Sequence, residues 1–189
     1  MIYKNKIFSE EELKGQDFKG DRFLECRLQN INCKFTNFEN CEFETCDFSG
    51  SLFTITNFTE CSFRGSKLSN IDFSEVTIKN CDFSESILVN CVYKHIKGKN
   101  EEKKCDLKGC NFSSANLKNS LFDFCDLTEV SFIKADLEGA IFEKCTLTKT
   151  DFSEANLSGV NFSNSRIGNA ILDIDGFIQF GNSKGFVLK

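Results

Sequence analysis

The sequence predicts a solenoid, a rod stacked from short identical units around a solid apolar interior. Three observations carry this expectation. Phenylalanine falls at positions 38, 43, 48, 53, 58 and 63, every fifth residue without a gap. Two places before each stands a small residue: Thr36, Cys41, Cys46, Ser51, Thr56 and Cys61. Phe supplies 22 of the 189 residues while Trp and Pro are absent, which implies one repeated pocket rather than an irregular core. A period of five is neither the 3.6 of a helix nor the 2 of a strand, so no single regular element accounts for it. Units too short to bury their own apolar face must stack on one another.

Taken in order, residues 1–10 are expected to cover the open end of the first coil. Ser9 with Glu12 matches a capping box for a one-turn helix, while Phe8 and Leu13 already keep the five-residue beat, and the sequence leaves both readings open. From Glu11 to His95 the register is unbroken for seventeen units centred on Leu13 through Tyr93. Sixteen of those centres are large and apolar or aromatic, and only Cys33 is not. Residues 96–104, IKGKNEEKK, break the beat. The step from Cys91 to Cys105 is fourteen residues, one short of three units, so this stretch is an insertion. Its six charges and lack of aromatics read as a solvated loop.

The series resumes from Cys105 to Ile174 with fourteen units centred on Leu107 through Leu172. Leu and Phe alternate strictly from 107 to 162. That alternation reads as different requirements on opposite faces of a coil, since the inward residues together fill a constant cross-section. Residues 175–189, DGFIQFGNSKGFVLK, leave the pattern and read as a short hairpin, Phe177–Phe180 with Phe186–Leu188 around GNSKG. Such a segment would cap a coil whose backbone and apolar side chains are otherwise exposed.

Composition narrows the task. A formal net charge of −5 argues against non-specific nucleic-acid binding, which needs a basic face. The first residues hold no apolar leader segment and no stretch approaches eighteen apolar residues, so no membrane span is expected and a cytoplasmic location is. Of eleven cysteines, ten stand two places before a large centre and Cys33 takes the large slot itself. Elsewhere the small slot holds Ala, Ser, Thr, Val or Ile, so Cys reads as one small buriable residue among several. Their spacing matches no zinc-ligand pattern, and reduced thiols fit a reducing compartment.

Units such as ADLEG (135–139), ANLSG (155–159), ANLKN (115–119) and CDFSG (46–50) resemble the pentapeptide-repeat family, over about 155 of 189 residues. The resemblance implies an all-β fold: a right-handed, four-sided parallel β-helix of about eight coils, interrupted by one loop. Residues 1–174 would form this single helix and 175–189 a cap or dimerisation segment. Columns such as Cys41, Cys61 and Cys81, twenty residues apart, would then stack at about 4.8 Å.

No catalytic constellation stands out, and neither a cofactor nor a metal is expected. The single histidine, His95, has no evident carboxylate or nucleophile partner. Function is therefore expected from the exterior, as an interaction scaffold for a protein partner. The alternative that the resemblance implies is a DNA-mimicking binder of DNA gyrase or topoisomerase IV that protects against quinolones or toxins. Five acids, Glu39, Glu42, Glu44, Asp47 and Glu60, fall between Phe35 and Phe63 without a Lys or Arg, and are candidates for an acidic partner-binding face. The loop residues Lys97, Lys99, Glu101, Glu102, Lys103 and Lys104 are a candidate recognition element. Phe177, Ile178, Phe180, Phe186, Val187 and Leu188 are candidate homodimer contacts.

Overall fold

The five-residue beat becomes a coil because one backbone position per unit takes the left-handed conformation. In the computed structural model, which describes residues 1–94 and 104–187, the residue two after each centre has positive φ in nearly every unit. Examples are Asn40 (53°), Gly50 (73°), Glu60 (54°) and Asn80 (50°). Each such residue turns the chain through a corner, and four corners close one coil. Asn and Gly tolerate this conformation best, which explains their recurrence there.

Successive coils pair in parallel with partners twenty residues apart, as in Phe23 with Phe43 and Phe38 with Phe58. The result is a right-handed quadrilateral β-helix of about eight turns. The first face carries Tyr3, Phe23, Phe43, Phe63 and Phe83, and the second Phe8, Leu28, Phe48, Leu68 and Leu88. The third carries Leu13, Cys33, Phe53, Phe73 and Tyr93, and the fourth Phe18, Phe38, Phe58 and Ile78. Across the insertion the partner spacing grows from twenty to twenty-nine, with Asp82 bridging Asn111 and Val92 pairing with Leu121. Each face thus continues in register beyond the insertion, and its columns resume at Phe112, Leu117, Phe122 and Leu107 respectively. The insertion falls between a third-face strand, Val92–Lys94, and a fourth-face strand, Cys105–Asp106.

The interior is one continuous apolar column from Phe8 to Phe162. Rings stack along a face and meet edge to face across the interior. Phe122 and Phe142 are parallel with centroids 4.8 Å apart, while Phe132 meets Phe142 at 84°. Alternating Phe and Leu puts like residues on opposite faces and unlike residues on adjacent ones. This reverses the reading from sequence, because in a four-unit coil every second unit faces its twin.

The small slot has its own chemistry. Its hydroxyl or thiol donates to a backbone carbonyl of the preceding coil, as Ser66 does to Phe43 (2.8 Å), Thr150 to Leu127 (2.8 Å) and Cys46 to Phe23 (3.2 Å). That contact gives the hydroxyl or thiol a buried partner, adding to the Val130 N–H that Leu127 O already accepts at 3.1 Å, and it accounts for Ser, Thr and Cys at these positions. All eleven cysteines are free thiols, ten of them buried and Cys105 half-buried. Burial pushes the thiols of Cys33, Cys46 and Cys91 up to about 12.

A helix stands near each end of the rod. The one-turn helix α1, Glu10–Leu13, follows Ser9, whose N–H donates to the Glu12 carboxylate at 2.9 Å, and Phe8 and Leu13 are both buried. The capping box and the five-residue beat therefore coexist. At the other end the expected hairpin is absent, and Ile174–Ser183 form α2 instead. Asp173 caps it by accepting from Gly176 N at 2.7 Å. Its other oxygen accepts from Glu154 N, and Gln179 accepts from Leu157 N, both at 2.7 Å. A helix thus satisfies donors of the last full coil that a further coil would have paired, and Phe180 packs 5.7 Å from the Phe162 ring.

Candidate functional site

With the interior filled, function falls to the four outer faces, the corners and the two ends. Charges on neighbouring coils meet at intervals of about twenty residues, so closeness along the chain is not closeness in space. The five candidate acids divide accordingly. Glu42 and Glu44 flank Phe43 on the first face, Asp47 lies on the second, Glu39 on the fourth, and Glu60 at the corner between the fourth and the first.

Cations from adjacent coils interleave with them. Lys19 pairs with Glu39 at 2.9 Å and Arg22 with Glu42 at 2.6 Å. Asp47 sits between Arg27 and Lys67 in its ladder and accepts from Gln29 at 2.8 Å. Arg64 lines the shallow depression beside Glu42 and Glu44 and bonds Glu85 at 2.7 Å, which holds the Glu85 carboxyl below its ordinary range. Of the five acids, Glu42 and Glu44 alone share a face, and it also carries Arg22 and Arg64.

Of the loop candidates, Lys97, Lys99, Glu101, Glu102 and Lys103 lie outside the described residues, as does His95. Lys104 is described: its ammonium bonds the Thr146 hydroxyl and lies 5.5 Å from the Phe124 ring centroid. Among the described residues no group of three His, Cys, Asp or Glu side chains is arranged to hold a metal ion, and no helix is long and apolar enough to cross a membrane.

The C-terminal candidates gather around α2. Phe177, Phe186 and Val187 are exposed, Ile178 and Phe180 half-buried, and Leu188 lies outside the described residues. These five line an apolar cleft of about 310 Å³ together with Gly181 and Asn182. A second, of about 330 Å³, opens between α2 and the last coil, over Phe162, Ile167 and Leu172.

Two family descriptions match the chain: "Pentapeptide repeats (8 copies)" over residues 25–54 and 56–92, and "Pentapeptide repeat region" over 103–172. Together they cover more than half of it, and the chain belongs to the pentapeptide-repeat family. Solved structures of QnrB1, a plasmid-mediated fluoroquinolone resistance protein, share the fold from end to end. The full-length form superposes with a TM-score of 0.74 at 19% identity, covering 98% of this chain and 97% of that one. A trypsin-treated point variant of the same protein gives 0.70 at 18%, covering 100% and 99%. HetL, a pentapeptide-repeat protein from the cyanobacterium Nostoc sp. strain PCC 7120, is more distant, with a TM-score of 0.43 at 14% identity over 90% of this chain and 84% of that one. No curated protein sequence matches the chain.

Proposed function

We propose that this protein is a non-catalytic, cytoplasmic scaffold that binds a protein partner through its outer surface. The observation that carries the reading is the continuous interior from Phe8 to Phe162, which leaves only the exterior to act. Surface specificity on a rigid rod follows from which side chains the twenty-residue spacing brings side by side.

A second reading is a binder of a type II topoisomerase that stands in for duplex DNA. The end-to-end likeness in fold to a fluoroquinolone resistance protein favours it. The interleaved cations weigh against it. A rod of eight coils at about 4.8 Å is roughly 38 Å long, and duplex DNA of that length carries about 22 negative charges. Here Lys19 and Arg22 pair with Glu39 and Glu42, and Arg64 stands in the same depression as Glu44.

A gyrase supercoiling assay with and without a quinolone separates the two. Inhibition or protection at low micromolar protein, weakened by salt, supports the DNA mimic; no effect leaves the scaffold with another partner. In either reading the 96–104 insertion is a recognition element, and deleting 98–103 abolishes partner binding while leaving the melting temperature nearly unchanged. The exposed Phe177, Phe186 and Val187 support a homodimer through the C-terminal end. A dimer that survives truncation after Asn169 in sedimentation would refute that contact.

A further inference from the structure

Away from its ends the rod exposes few large apolar side chains. Among the described residues between Arg22 and Gly159 they are Phe35, Leu52, Ile55, Ile87 and Ile141. Four of these five, all but Ile87, stand on the third face or on the edge where it turns to the fourth. Scattered apolar residues need no explanation, but a concentration on one side of four does.

The densest part is Phe35, Leu52 and Ile55. Phe35 and Ile55 occupy the same corner in consecutive coils, and Leu52 projects from the strand that leads into Ile55. They are 49%, 63% and 56% exposed, the most open large apolar side chains of this region. Both corner residues have left-handed backbone, with φ of 57° for Phe35 and 51° for Ile55. That conformation disfavours bulky and especially β-branched residues. Other corners of the rod use Asn at the same place, at Asn30, Asn40, Asn70, Asn80 and Asn90. An isoleucine and a phenylalanine held there oppose local stability for no gain in the core.

The surroundings indicate what the ridge meets. The row beside it on the third face runs Lys14, Lys34, Thr54, Ser74 and Lys94, without an acid. The Lys34 ammonium has no ion-pair partner among the described residues and lies 4.9 Å from the Phe35 ring centroid. Lys14 reaches its nearest carboxylate, Glu10, only at 3.9 Å. On the other flank Asn57 donates to Asn37 at 2.5 Å and Asn37 to Asp17 at 2.6 Å, a rail of two amides beside the ridge whose one acid, Asp17, lies at its N-terminal end and is engaged by Asn37. Toward the N-terminal end the corner is Gly15, with open space where a side chain would stand. Toward the other end Glu75 closes the patch, and Asp72 is engaged by Ser74 N at 2.9 Å.

We propose that Phe35, Leu52 and Ile55, flanked by Lys14 and Lys34, form a docking ridge for a segment of a partner protein that carries apolar anchors and acidic side chains. This rests on the protein-binding reading above and adds where contact is made and with what chemistry. An anionic membrane is the poorer match, since the chain bears a net −5 and the ridge offers only two flanking lysines.

The test pans a random-peptide phage library on the immobilised full chain, then measures the selected peptides by fluorescence anisotropy. Binding is compared with Phe35→Asn/Ile55→Asn, which installs the residue used at other corners, and with Lys34→Glu. Selected peptides are expected to combine Leu, Ile or Phe with Asp or Glu, and to bind the double variant at least about tenfold more weakly. Lys34→Glu should weaken binding most at low salt. The double variant should melt no lower than the parent chain, so lost binding cannot be lost fold. Peptides that bind both proteins equally, or winners rich in Lys and Arg, would overturn the ridge while leaving the scaffold reading intact. Selection of no peptide at all would count against both. Ridge-dependent flotation with phosphatidylserine vesicles, or a dimer that the double variant dissolves in sedimentation, would overturn the proposal by assigning the ridge to a membrane or to a second copy.

Discussion

Before the insertion, aromatic rings crowd adjacent faces; after it, they stand only on opposite ones. Phe18, Phe38 and Phe58 stack on the fourth face beside Phe23, Phe43 and Phe63 on the first, with Phe58 and Phe63 at 81° and 5.0 Å. Between Phe53 and Tyr93 the second aromatic column moves to the third face, and from Leu107 onward the fourth face is aliphatic. The coil of Phe48, Phe53, Phe58 and Phe63 is where the two arrangements overlap, and it is aromatic on all four sides. Cys33 lies directly under Phe53 in the ladder, a small residue in a large slot beside the most crowded coil. One repeat thus admits two ways of filling one cross-section, provided that neighbouring coils compensate in volume.

The most severe break in this comparison is Phe58→Ala. Phe58 is fully buried and touches Phe38, Phe53, Phe43 and Phe63, so its removal leaves a cavity inside the crowded coil. The expected loss is about 3–5 kcal/mol. A loss below about 1 kcal/mol in chemical denaturation would mean that the ring bears no packing load.

Cys33→Phe probes the compensation from the other side. If the coil beneath Phe53 is small because the coil above is full, a second ring there overpacks and destabilises by about 1–3 kcal/mol. A variant as stable as the parent chain would show that the cysteine relieves no crowding.

Much of this was legible because a solenoid ties sequence position to spatial position by simple arithmetic. The inward slots, the buried thiols and the point where the register breaks all follow from counting in fives. Four-sidedness did not follow from counting; it came with the family resemblance, and the relation between opposite faces depends on it. The acids misled for the same reason. Glu39, Glu42 and Asp47 are near in sequence but on three faces, whereas Glu39 and Lys19 are twenty apart and bonded. Comparing each residue with those twenty away exposes such pairs, and it also exposes the stacked corner of Phe35 and Ile55. The terminal helix was missed because Phe177–Phe180 is too short to distinguish periods; its signal was Asp173 as a cap, three residues before Gly176.

A smaller effect, common to both halves, appears with pH. Burial raises the thiols of Cys33, Cys46 and Cys91, before the insertion, from 9.0 to about 12, and it pushes up the Cys110 thiol after the insertion as well. The folded chain keeps these protons while the unfolded chain loses them, so stability is fully present below pH 9 and falls between 9 and 12. Each thiol contributes a slope of up to about 1.4 kcal/mol per pH unit. Cys46→Ala puts into the second face the residue found there at Ala115, Ala135 and Ala155, and should remove one thiol's share of that alkaline slope. Denaturation curves at pH 8 and pH 10 that shift equally in both proteins would show that Cys46 ionises freely in the fold.

The mildest change falls on the column that joins the two arrangements. Tyr93 stacks between Phe73 at 4.9 Å and Phe122 at 4.7 Å, fully buried on the third face at the edge of the insertion. Its hydroxyl has no hydrogen-bond partner among the described residues. A buried hydroxyl without a partner costs the loss of its hydration, whereas phenylalanine fills the same stack above and below without that cost. Tyr93→Phe should therefore raise the unfolding free energy by about 1 kcal/mol, with an unchanged denaturant slope. A destabilised variant would instead mean that the hydroxyl is bonded in solution, and that the seam between the two packing arrangements is held by a polar contact rather than by ring stacking alone.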